Sequence, residues 1–238
     1  MWSPTMNGII ALILAFAGAY AIGSIPFAYI IAKGVTGEDI TQHGTGNVGA
    51  MNVRRTTGSW AWFVVAMLAD ALKGFIPVIV VVMFTAPLAG VSSADAVPDL
   101  RSLPPQDTLA LWGPAVVVLG AVAGHNWSLW LSLVKRRILG GKGLATGGGA
   151  LLAYDWRYFV IVIVSGLAVI AITRYMMAGQ VAAAASLPLY TILADRPDWL
   201  FATTLGVIVY VRHHRRFVGL LRGREPKMYV NDRMGPRG

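Results

Sequence analysis

The chain of 238 residues is 56% hydrophobic and only 13% charged, with a mean hydropathy of +0.62; soluble domains carry roughly twice that charged fraction. This excludes a soluble globular protein and predicts an all-α, polytopic membrane protein with one membrane-embedded domain over residues 1–238. The net charge of +9 and pI near 10.2 would suit nucleic acid, but the basic residues are sorted by side of a membrane, so no nucleic-acid partner is expected.

The opening MWSPTMNG lacks the basic n-region of a signal peptide, so the first apolar stretch is expected to be retained as a span. A spanning helix needs about 20 mostly apolar residues. Stretches 8–32, 60–86, 109–134 and 176–194 meet or approach that length. Stretches 144–154, 158–173 and 199–211 are shorter and require tilt or partial burial. Together they predict about seven transmembrane helices, with the N-terminus outside and the C-terminus inside. In that arrangement Lys33, Arg54, Arg55, Lys135, Arg136, Arg137, Lys142, Arg174 and eight basic residues after Val211 face inward. The outer segments hold Arg101, Arg157 and Arg196 among Asp95, Asp99, Asp107, Asp155, Asp195 and Asp198. This is the positive-inside asymmetry of an inserted protein.

The first inner segment contains QHGTGNVGAMNVRRTTG (42–58). Gly44, Gly46 and Gly49 permit left-handed or tightly turned backbone, and successive N–H groups in such turns converge into an anion-binding nest. Thr45, Asn47 and Asn52 add neutral donors, and Arg55 offers a fork matched to phosphate oxygens. A solvated connector whose cations set topology would have the same composition, and both readings stand. In the second span, ADALKG places Asp70 and Lys73 at i,i+3. A charge at mid-bilayer costs about 2.5–3.5 kcal/mol, and this spacing lets the two neutralise each other as a structural ion pair.

Segment 87–108 is acidic and Pro-rich and is expected to be an irregular outer loop. After the third span comes LGGKGLATGGG (139–149). Gly140, Gly141 and Gly143 surround Lys142 and open into a helix, whose free N-terminal amides beside a lysine suit phosphate. A Walker A loop would need Ser or Thr directly after the lysine, where Gly143 stands. Close helix packing accounts for Gly147 to Gly149 and is the competing explanation for the whole segment. The tail over 212–227 sets Phe217, Val218, Leu220 and Leu221 on one side of a basic helix, either an interfacial helix snorkelling its arginines or a segment that brings His213 to the cationic loops. Residues 228–238 are expected to be loose.

Several chemistries are missing. No cysteine is present, which excludes disulfides, cysteine zinc sites and a thioester on the enzyme. There is no GxSxG elbow, no His-x4-Asp pair and no metal-ligand spacing, and no cofactor is expected.

The ordered set GSIPFAYIIAK (23–33), DITQHGTGNVGAMNVRRTTG (39–58), DALKG (70–74), GHNW (124–127), GGKGLAT (140–146), TRY (173–175) and LLRGREPK (220–227) resembles the bacterial acyl-phosphate-dependent glycerol-3-phosphate acyltransferases over nearly the whole chain. The resemblance implies seven helices in the bacterial inner membrane, a cytoplasmic active site, and acyl transfer from acyl phosphate to the 1-hydroxyl of glycerol 3-phosphate, with membrane lipids as surroundings. It implies that Thr45, Lys142 and His213 are catalytic and that Arg55 binds substrate; Asn47, Asn52, Gly46, Gly140, Gly141 and Gly143 are expected to bind substrate from the donors and turns of the two loops, and Arg216 from its guanidinium. The chain departs from the family at Thr45 (usually serine), Met51 (usually threonine), Met177 and Gln180 (near the usual serines) and Arg216 (usually asparagine). These departures define two alternatives: a membrane protein that binds or carries a phosphorylated lipid without chemistry, and a paralogue with a changed acyl acceptor.

Overall fold

The structure is a computed structural model that describes residues 6–44, 46–85, 108–225 and 227. Thr45, most of the expected outer loop and the expected loose tail therefore lie outside the described residues. Among those described, every regular element is helical: α1 (Met6–Gly23), α2 (Phe27–Thr36), a 3-10 turn (Ile40–Gln42), α3 (Ala50–Thr57), α4 (Trp60–Thr85), α5 (Thr108–Asn126), α6 (Leu129–Lys135), α7 (Leu144–Tyr154), α8 (Trp156–Thr173), α9 (Met176–Leu193) and α10 (Trp199–Leu221).

Five helical stretches, Met6–Thr36, Trp60–Thr85, Trp112–Lys135, Trp156–Thr173 and Met176–Leu193, are long and apolar enough to cross a membrane. Large apolar side chains such as Leu14, Leu68, Ile76, Phe84, Val164 and Leu167 lie open on their outer faces. Patches of that extent are untenable in water and suit lipid, as expected of a multi-pass membrane protein. The chain divides into two compact units between Phe159 and Val160.

In the first unit, two of the expected continuous spans are broken. The first stops at Gly23 and restarts at Phe27, because Pro26 has no N–H and forces its predecessor out of helical geometry. The third stops at Asn126 and restarts after Ser128, whose Oγ accepts from Leu131 N. The breaks are tied together: Ser128 Oγ donates to Ser24 O at 2.5 Å, Tyr20 Oη to Trp127 O at 2.6 Å, and Trp130 Nε1 to Ala21 O at 2.8 Å. Backbone carbonyls freed by a break thus find donors inside the protein, as the hydrocarbon environment requires.

Above the breaks α1 and α5 touch backbone to backbone; a Cβ on Gly124 would lie 2.2 Å from Tyr20 O. The Gly120-x3-Gly124 spacing is the small-residue contact of membrane helices. Helices α4 and α7 meet in the same way through Gly74 and Gly149. Helix α7 has 11 residues, and Thr146, Gly149, Ala150, Leu151, Ala153 and Tyr154 are buried; it is an internal element of its unit. In the second unit α9 packs on α10. The latter runs without interruption to Leu221, so the expected boundary between a span ending at 211 and a separate tail is replaced by one helix. No glycine or proline interrupts residues 207–218, and arginine is a good helix former.

Candidate active site

The 38–58 segment is more ordered than its glycines imply. Asp39 caps the 3-10 turn, its Oδ1 accepting from Thr41 N at 2.9 Å and Thr41 Oγ1 at 2.7 Å, while its other oxygen pairs with Lys135 at the end of α6. Partial burial opposes ionisation of Asp39, but the hydrogen bonds from Lys135 and Thr41 outweigh it and hold the carboxyl at about 2. Ile40, Val48 and Val53 form a small core with Ala28, Ala32, Ala66 and Leu131, against which Leu139 and Ala50 also pack. Because Leu139 leads into the glycine loop, this core and the Asp39–Lys135 pair bring the two cation-bearing loops of the first unit together.

Within the first loop the expected donors are partly consumed. Asn52 Nδ2 donates to Ile40 O and to His43 O, both at 3.0 Å, which uses both amide hydrogens in bracing the turn. The expected nest of N–H groups is also reduced, since Gly46 N donates to His43 O at 2.9 Å and Gly49 N to Asn47 O at 3.2 Å. Gly44 (φ 56°) has a direct steric reason: a Cβ there would lie 2.3 Å from Asn52 Oδ1 and 3.3 Å from Arg55 Cδ. The Arg55 stem therefore crosses the turn while its side chain remains exposed on the last turn of α3. Asn47 is half-buried. Arg54, its neighbour, stacks on Trp60 at 3.7 Å.

The second loop enters α7 through Gly143, which has φ 73° and is the N-cap. Gly140, Gly141 and Gly143 are buried and Lys142 is half-buried between them. Gly141 N donates to His125 O at 2.8 Å. The first amides of α7 lack intrahelical partners by geometry, so a lysine and a helix N-terminus share one place, a suitable cradle for a phosphate.

In the second unit His213 is buried, and its Nδ1 lies 2.8 Å from Val209 O. A carbonyl can only accept, so the neutral ring carries its proton on Nδ1 and presents Nε2 as an acceptor. One turn on, Arg216 pairs with Glu225, so its guanidinium is partly neutralised within the same unit. Met177 and Gln180 are buried on α9, and Met51 is half-buried on α3.

The family model described as glycerol-3-phosphate acyltransferase matches residues 13–223. The chain belongs to that family. The acyltransferase is 36% identical over 227 residues to glycerol-3-phosphate acyltransferase 2 of Moorella thermoacetica, covering 91% of this chain and 97% of the relative. It is 33% identical over 221 residues to the glycerol-3-phosphate acyltransferase of Desulforudis audaxviator, covering 92% and 96%. Among solved structures it is similar to PlsY, an integral membrane glycerol 3-phosphate acyltransferase, in its glycerol 3-phosphate form, with TM-score 0.70, 27% identity and coverage of 94% and 96%. The reading as a carrier without chemistry is set aside: the acyltransferase acts in phospholipid biosynthesis.

Sequence reasoning passed over His125 and Asn126. His125 is 6% exposed and Asn126 fully buried, both at the end of α5 and directly beneath the glycine loop. The available signal was a polar pair inside an apolar helix, which in a membrane protein is a functional candidate by default.

Proposed function

We propose that the acyltransferase uses an acyl phosphate as donor and the 1-hydroxyl of glycerol 3-phosphate as acceptor, giving lysophosphatidic acid and inorganic phosphate. The observation that supports this best is the seating of Lys142 between two buried glycines at the N-terminus of α7, in a unit whose small core also anchors the Arg55 loop. The donor is already activated, so the protein needs no covalent intermediate. The hydroxyl oxygen attacks the acyl carbon, the carbon–oxygen bond to phosphate breaks, and phosphate departs with the bonding pair. Lys142, with Gly140, Gly141 and Gly143 around it, holds a phosphate group. Arg55 supplies a second cation, with Gly46 and Asn47 shaping the turn beside it and Asn52 bracing that turn. These charges offset the mutual repulsion of two anionic substrates and the negative charge that develops on the leaving phosphate. His213, with Nε2 as acceptor, takes the hydroxyl proton, and Thr45 supplies a hydroxyl where the family has serine. Arg216 tunes acceptor binding through its balance with Glu225. Alignment of reactants alone supplies roughly 7–11 kcal/mol of the barrier reduction.

Purified protein supplied with acyl phosphate is expected to release phosphate only when glycerol 3-phosphate is added. Replacing the donor with acyl-coenzyme A at equal concentration should give no transfer. Equal turnover with the thioester would refute the acyl-phosphate assignment.

We further propose seven spans in the bacterial inner membrane, with Arg55, Lys142 and His213 on the cytoplasmic side, supported by the charge asymmetry. The chain has no cysteine, so single cysteines report cleanly. Ser93→Cys should react with an impermeant maleimide on intact cells, and Arg224→Cys only after permeabilisation. The inverse labelling pattern would put the cations on the wrong side for a cytoplasmic substrate.

A further inference from the structure

Helix α4 carries Asp70 and Lys73, which are 2% and 5% exposed, and Lys73 Nζ lies 2.7 Å from Asp70 Oδ1. Two buried opposite charges at i,i+3 could neutralise each other and need nothing more. Each instead has a further contact on another segment of the chain. Lys73 Nζ donates to Ile25 O at 2.7 Å, the carbonyl just before Pro26 in the break between α1 and α2. Asp70 Oδ1 lies 3.6 Å from His125 Nδ1 at the end of α5.

The other side of the His125 ring meets the glycine loop. A Cβ on Gly141 would lie 1.9 Å from His125 Nε2, so the imidazole occupies the space that any side chain at 141 would need. The backbone repeats the contact, since Gly141 N donates to His125 O at 2.8 Å. Asn126 extends the same surface. A Cβ on Gly140 would lie 2.3 Å from Asn126 O, and one on Gly143 would lie 2.8 Å from Asn126 Oδ1. Three residues of the Gly140–Gly143 loop therefore rest on the His125–Asn126 step, and the fourth is Lys142. An imidazole with a buried carboxylate 3.6 Å from one ring nitrogen and a glycine pressed on the other is placed to set the height and tilt of that loop.

We propose that His125, oriented by the Asp70–Lys73 pair, is a positioning residue that places Lys142 for phosphate binding. The inference rests on the reading of Lys142 given above. His125 acts through Lys142, and the interaction it controls is sensitive: a displacement of about 1 Å at a catalytic group costs up to about 100-fold. The absence of side chains at 140, 141 and 143 follows from the same contact, since each glycine leaves room for the step beneath it.

The test is a double-mutant cycle on the purified full-length protein, with phosphate release measured against both substrates. His125→Ala should lower kcat/KM by about tenfold or more, in the range set by a loop displaced by a fraction of an ångström. His125→Asn, which keeps a donor where Nδ1 stood, should recover part of that loss. In the Lys142→Ala background, His125→Ala should add less than about a twofold change, because coupled sites are non-additive. Full multiplication of the two losses would show that His125 acts independently of Lys142 and would overturn the proposal. A His125→Asn variant as poor as His125→Ala would overturn the tether to Asp70. The joint Asp70→Asn, Lys73→Met variant leaves no unpaired charge in the membrane; it should lose activity with the same dependence on Lys142, and full activity in it would also overturn the tether. If Lys142→Ala alone is harmless, the reading of the glycine loop fails instead, which is a separate result.

Discussion

Lys142→Ala is expected to lower kcat/KM by about 10- to 150-fold, the equivalent of the 1.5–3 kcal/mol of one lost charged hydrogen bond acting in the transition state. Arg55→Ala should fall in the same range. Arg157→Ala is the control: its half-exposed side chain lies 3.8 Å from the buried Asp155 carboxylate, so the loss of that partner falls on stability and kcat/KM should stay nearly unchanged. Steady-state kinetics on the three variants decides the matter. Equally mild losses in all three would mean that Arg55 and Lys142 serve only to orient the chain in the membrane. Lys142→Arg is informative beside these, because a planar fork replaces a compact ammonium between two buried glycines; the charge survives and the geometry does not.

The second large effect is on stability and comes from one glycine triplet. A Cβ on Gly149 would lie 2.1 Å from Ala71 O, an immovable backbone atom of α4, whereas one on Gly148 would meet only Phe159 at 3.7 Å, an ordinary contact. Gly149→Ala must therefore push α7 away from α4, at a cost of about 1–3 kcal/mol for overpacking. Gly148→Ala should be neutral or slightly stabilising, since alanine is favoured over glycine in a helix by about 1 kcal/mol. Thermal unfolding in detergent should show Gly149→Ala falling by several degrees while Gly148→Ala holds or rises slightly. A Gly149→Ala protein as stable as the parent would mean that the helices do not approach as closely as described. Gly74→Ala, whose Cβ would lie 2.1 Å from Thr146 O, should resemble Gly149→Ala because it faces the same crossing from the other side.

Much of this was legible in the sequence because membrane insertion writes itself into composition. Long apolar stretches predict the helices, and an i,i+3 spacing predicts the Asp70–Lys73 contact that the structure forms at 2.7 Å. The breaks were less legible. Pro26 was a visible warning, but the interruption at Trp127–Ser128 depends on Ser128 finding Ser24 O on another helix, which no local pattern encodes. The bracing of the first loop was equally hard to read. Its glycines signal turned backbone, yet the hydrogen bonds from Asn52 to Ile40 and His43 are settled by which carbonyls the fold leaves unpaired. His125 shows the limit most clearly. Within GHNW it is one polar residue in an apolar helix, and its role becomes visible only when Asp70 from α4 and Gly141 from the next loop are placed on opposite edges of its ring.

The shortness of α7 bears on the lipid around it. Eleven residues rise only about 16 Å, roughly half the thickness of a typical hydrocarbon layer. As one of the seven proposed spans, this helix would have at least one end, the glycine loop or the Asp155 cap, below the headgroup level kept by the longer helices, unless the bilayer thins beside it. Each ångström of such mismatch costs only fractions of a kcal/mol, but it makes the depth of the loop a property of protein and membrane together. Lipid chain length then becomes a variable of the site. A thinner bilayer brings the loop nearer to water and the soluble acceptor, and a thicker one draws it toward the acyl chains.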